Sequence, residues 1–176
     1  MENESVTIQA YHDAIKSTIE EAFSDKLKEV TYYTIKHGKI HTPSVSIELR
    51  DWQPSEDDDG TGMQSWDFSW SAYIFAKSTE KTAKIELRIL SMELCQVIND
   101  NNFGLYASDA KISTCERDDF SPEWDAYEVF RIDWTQTAKT GVNIWDNKNK
   151  IAPEHVLTSI SPETGNPYEK HYQEIE

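Results

Sequence analysis

The chain is 176 residues long, enough for one globular domain and short for two. Its 17 Lys and Arg stand against 32 Asp and Glu, a net charge of −15, with 38% hydrophobic and 11% aromatic residues. That is too apolar for a disordered acidic tail, and with no basic cluster it is too anionic for a protein that reads DNA or RNA through its phosphates. No apolar run approaches the roughly 18–20 residues that span a bilayer. The polar, acidic residues 1–5 resemble no secretory leader. Cys95 and Cys115 are too few and too far apart in sequence for a disulfide framework or a zinc-finger spacing. A reducing cytoplasm is therefore expected, with both thiols acting as small buried hydrophobes.

Residues 5–27 are predicted to form an amphipathic helix. Ile8, Tyr11, Ile15, Ile19 and Ala22 share a face, joined by Phe23, while Lys16, Glu20 and Lys28 face water; Ser5 is the expected N-cap. Val30, Tyr32 and Ile35, then residues 45–49 after Pro43, alternate as half-buried strands do. Residues 51–62, rich in acid, Gly and Pro, read as a solvated loop. Trp66, Phe68, Trp70, Ala72, Ile74 and Ala76 then alternate with Asp67, Ser69, Ser71 and Tyr73 along a long strand. From 79 to about 99 the period is helical: Ala83, Leu87, Leu90, Leu94 and Val97 form a stripe that Ile85, Ile89, Met92 and Ile98 widen until little is left for water. Residues 83–89 also alternate, but the length of the segment and its lack of Gly or Pro favour helix. After the break at 99–102, strands are expected at 111–116 and 126–134, separated by an acidic turn. Residues 147–176, with Pro153, Pro162 and Pro167, read as an extended C-terminal arm following a single domain at 1–146.

This order predicts an α+β fold: a single mixed or antiparallel sheet of about four to five strands with two helices packed on one face. Aromatic and long side chains on the other face are expected to be covered by a second subunit.

Chemistry-bearing patterns are sparse. The run 56–60 suggests a calcium loop, but aligning Gly60 with the EF-hand glycine puts Trp66 where a bidentate acid is required. Glu116, Asp118, Asp119, Glu123 and Asp125 supply carboxylates for a glycosidase pair, yet a turn gives them no cleft or apolar pocket. Of the five histidines, His37 and His41 have the i, i+4 spacing of a zinc pair, but around Gly38 and ahead of Pro43 they read as a turn. There is no nucleophile elbow, phosphate-cradling loop or dinucleotide fingerprint. No catalytic, metal or cofactor site is therefore expected.

The six tryptophans are the remaining signal. Trp and Tyr anchor interfaces, and Trp52 beside the acidic loop and Trp145 beyond the last strand fall outside the expected elements. With Trp66, the acidic loop residues Asp57, Asp58 and Asp59, and the turn residues Asp118 and Asp119, they are the candidate contact residues.

Several features together resemble bacteriophage tail terminator (tail completion) proteins. An apolar helix ends at Phe103-Gly104, a strand follows, and then an acidic turn carrying Pro122-Glu123. The next strand closes on Ile132-Asp133-Trp134-Thr135-Gln136 and leads to Gly141 and Asn143-Ile144-Trp145-Asp146. The resemblance spans about residues 5–146, and the arm after Asn147 has no counterpart in it. It implies a non-enzymatic structural protein of the virion, assembled in the bacterial cytoplasm. Such proteins form a hexameric ring at the head-proximal end of the tail, contacting the tail tube protein and a head-completion or connector protein. A closed ring satisfies the same exposed patch on every copy, and an acidic bore lets DNA pass without sticking. The alternatives are another neck connector, an acidic binding module acting on a basic partner, and a small enzyme using the acidic turn.

Overall fold

The first helix, α1 (Ile8–Ala22), starts at Thr7 rather than Ser5. Thr7 Oγ1 accepts the Ala10 N–H at 3.1 Å, whereas Ser5 Oγ accepts the Gly141 N–H at 3.2 Å, from just beyond the last strand of the sheet. A long-range bond thus takes the hydroxyl that local sequence assigns to the cap. In this computed structural model, residues 5–33, 40–56, 60–77, 82–118, 127–144, 157–158, 170 and 173–174 are described. Tyr11, Ile15, Ile19 and Phe23 are buried, while Ile8 and Ala22, expected on the same face, are exposed at the helix ends. Each fully buried side chain of this size contributes about 1.5–3 kcal/mol relative to exposure.

The chain continues through β1 (Glu29–Tyr32), β2 (Ser44–Pro54), β3 (Gln64–Lys77), α2 (Ala83–Ile98), β4 (Lys111–Arg117) and β5 (Tyr127–Thr140). Ile35 lies outside the described residues. Both β2 and β5 run further than their alternation suggested, so Trp52 falls inside β2 and not in the loop. The segment whose pattern fits strand or helix, 83–89, is helical. Asn101 accepts the Phe103 N–H through its side chain and donates to Val97 O, turning the chain out of α2 toward β4.

The strands form one open mixed sheet in the order β1-β2-β3-β5-β4, with β1 parallel to β2 and every other neighbour antiparallel. The fold is α+β. Cross-strand partners share a face, so the register assigns sides directly. Val45, Ile47 and Leu49 on β2 lie opposite Ile74, Ala72 and Trp70 on β3, and the last two pair in turn with Ile132 and Trp134 on β5. All belong to one buried cluster with the inner residues of α1 and α2.

Two irregularities interrupt the alternation. An extra residue in β2 between Leu49 and Asp51 places Trp52 opposite Phe68, and one in β4 between Ile112 and Thr114 places Cys115 opposite Ile132. Each shift moves the following residues to the opposite face. Cys115, expected to be buried, is exposed at the sheet edge, and Cys95 on α2 is half-buried.

Residues Met1–Ile144 form one compact unit and Trp145–Glu176 a second. Within the second, β6 (Leu157–Thr158) pairs antiparallel with β7 (Gln173–Glu174).

Candidate assembly surfaces

Trp70 and Trp134 are only 1% exposed and form the centre of the core. Tyr11 and His12 pack on Trp70 with ring centroids 5.0 and 4.8 Å away. His12 Nδ1 is 2.8 Å from Ile8 O and its Nε2 is 3.1 Å from the Tyr33 hydroxyl. Trp66 is half-buried and donates to Thr140 Oγ1 at 2.9 Å. The wide inner surface of two 14-residue strands takes these rings into a single chain. The expectation that a second subunit covers the large aromatic side chains of the sheet is therefore corrected for Trp70, which is enclosed within one chain.

The exposed apolar surface lies elsewhere. Ile85, Ile89 and Met92 on α2 are 61%, 54% and 63% exposed. Their i, i+4, i+7 spacing places them in one row on the outer side of the helix, where the sequence had suggested continuous burial. Beside this row, a groove of about 340 Å³ opens between α2 and the end of β3, floored by Thr42, Pro43, Ala76, Leu87 and Leu90. The Lys26–Glu93 ion pair, 2.8 Å, closes its rim. At the opposite end of the sheet, Trp52, Val142 and Ile144 are also exposed. Ile144 is held there by its N–H to Thr61 O at 2.8 Å.

Around Asp133, the face of the sheet away from the helices is polar. Asp133 accepts from Ser71 Oγ at 2.5 Å and from Arg131 Nε at 3.1 Å, and Arg50 approaches to 3.7 Å. Arg131 also donates to Glu116 at 2.6 Å. Arg50 and Ser113, the extra residues of the two irregular strands, both border the shallow groove of about 460 Å³ around Asp133. These charges satisfy one another, and the arrangement offers no unpaired nucleophile or acid/base couple.

Asp118 is half-buried at the end of β4, its N–H donated to Val129 O at 3.0 Å. Asp57, Asp58, Asp59, Asp119 and Trp145 lie outside the described residues, as does His37. Among the described residues, no group of three or more His, Cys, Asp or Glu side chains could hold a metal ion, and no helix is long and apolar enough to cross a membrane. Of the named contact candidates, Trp52 is the half-exposed ring at a sheet end. The α2 row was missed because its residues fit a buried helix as well as a patterned surface.

No protein-family model and no curated protein matches the sequence. Among solved structures, the fold is similar to the sheath/tube terminator of an extracellular contractile injection system, PVC, in its extended state. The TM-score is 0.51 at 11% identity, with 92% of this chain covered. The chain spans 65% of the length of that neighbour. The likeness is one of fold.

Proposed function

We propose that this chain is a structural assembly protein that ends a tail tube, closing as a ring on its head-proximal end and offering the surface to which the next component attaches. The observation that carries the reading is the fold likeness, over 92% of the chain, to a protein described as a sheath/tube terminator. The exposed α2 row and the apolar sheet end around Trp52 support it. A ring of identical copies requires two different patches per subunit, each meeting the other on its neighbour, and these lie at opposite ends of the sheet. The carboxylate-rich composition fits a ring that does not adhere to nucleic acid passing through it.

The test is deletion of the gene in a producing strain, followed by electron microscopy of the particles. Overlong or ragged tubes, restored to uniform length by the gene supplied in trans, are expected. Complete particles of normal length in the deletion strain overturn the reading. Purified chain that captures basic proteins and never decorates tube ends would instead favour an acidic binding module.

A further inference from the structure

Cys95 and Cys115 are separated along the chain but adjacent in the fold. The irregularity after Ile112 determines this: in an uninterrupted ladder Thr114 would face Ile132, whereas the extra residue gives that position to Cys115. Ile132 belongs to the core under the helices, so Cys115 is turned toward the side that α2 covers. There Cys95 packs against the margin of the same core, and one turn further along α2 Asn99 Oδ1 accepts the Ile112 N–H at 3.4 Å, which ties β4 alongside the helix and brings the two thiols to the same stretch of that seam. Cys115 is the exposed member and Cys95 the half-buried one.

We propose that Cys95 and Cys115 are a modification site, a dithiol that a low-molecular-weight disulfide oxidises to an intrachain bond stapling α2 to the edge strand β4. The Cys115 thiolate attacks one sulfur of the small disulfide, forming a mixed disulfide and expelling one small thiolate. The Cys95 thiolate then attacks Cys115 Sγ, forming the Cys95–Cys115 bond and expelling the second. The protein loses two electrons and two protons, and the small disulfide becomes two thiols. Burial, reinforced by the neighbouring thiol, pushes the Cys95 thiol up to about 12. Its thiolate is therefore scarce at neutral pH, and closure is slow there and faster in base. A chain made in a reducing cytoplasm thus keeps the dithiol, and one that reaches oxidising surroundings closes it. The staple fastens β4, an edge strand of the sheet that pairs with β5 alone among the described residues.

Reduced full-length chain is incubated with oxidised glutathione at mildly alkaline pH and then analysed by intact mass and non-reducing peptide mapping. The expected product is a monomer lighter by about 2 Da, with one cross-linked peptide joining Cys95 and Cys115. Its thermal midpoint should rise by about 5 °C over the reduced chain. Cys115→Ser and Cys95→Ser should each abolish both changes while keeping the reduced chain's midpoint within a few degrees. Separate glutathione adducts on each cysteine, a dimer linked through Cys115, no reaction, or a closed bond without a change in midpoint overturns the proposal. None of these outcomes depends on whether the chain ends a tube.

Discussion

Trp70 and Trp134 are register partners across β3 and β5, and their rings lie 13° from parallel with centroids 6.2 Å apart. Both are enclosed by α1, α2 and the sheet. Trp134→Ala removes one of the two rings of that stack and leaves a cavity in the core. A loss of about 3–5 kcal/mol is expected in urea unfolding, and a loss below about 1 kcal/mol would mean that the ring is not a core element.

Beneath Trp134, the side chain of Gln136 joins three groups. Its Oε1 accepts Trp134 Nε1 at 3.2 Å, while its Nε2 donates to Asn101 O at 3.1 Å and Ser108 O at 2.9 Å. Gln136→Leu keeps the volume but leaves Trp134 Nε1 without its acceptor in a buried setting and removes both bonds to the 101–108 segment. The expected cost is roughly 3 kcal/mol, with faster amide hydrogen exchange in residues 99–110, which the amide ties to β5.

Tyr11 gives the opposite sign. Its hydroxyl is buried without a hydrogen-bond partner among the described residues, so Tyr11→Phe should be neutral or raise stability by up to about 1 kcal/mol. Burial also raises its pKa, as it does those of Tyr32, whose hydroxyl donates to Asp13 at 2.7 Å, and Tyr73. Above a pH of about 10 the unfolded chain releases these protons while the folded chain keeps them. The unfolded state then binds fewer protons, so stability is full below that pH and falls as pH rises beyond it. Denaturant midpoints measured from neutral to strongly alkaline pH should show this decline, and Tyr11→Phe should make it shallower by about one proton's worth of slope.

Gly62 has φ +74°, and a Cβ there would stand 2.8 Å from Ile144 Cγ2. Gly62→Ala therefore meets both a left-handed backbone, costing about 1–2 kcal/mol, and a clash with the residue that closes the end of β5. Adding Ile144→Ala should recover the clash and leave the backbone cost. A double variant no better than the single one would show that the contact does not matter.

On α2, Ile89→Ser and Met92→Ser change an exposed surface and should alter monomer stability by no more than about 0.5 kcal/mol. The same variants should fail to restore uniform tubes in the deletion strain described above. Full restoration by the double variant would remove this row from the assembly contacts.

The elements were legible in the sequence where their period was unbroken. Tyr11, Ile15 and Ile19 marked the inner side of α1, and the run from Trp66 to Ala76 marked the inner side of β3. Reading failed where one residue breaks the period or where a distant group competes. The extra residues in β2 and β4 moved Trp52 and Cys115 to the helix side, and Gly141 took Ser5 from the cap. Nor does periodicity distinguish Leu87 and Leu94, which meet the sheet, from Ile85 and Ile89, which do not. That depends on the height at which α2 rides over β3 and β5, a property of the whole layer.

The extra residue in β2 has one more consequence, for chain length. Arg50 stands between two correctly matched stretches, so it is a seam where the strand can be shortened by one without disturbing either side. Excise it, and Trp52 still sits opposite Phe68 on a now regular ladder. Remove a residue just past the seam, at Gln53, and the tip of the strand must slide or leave Trp66 without its mate.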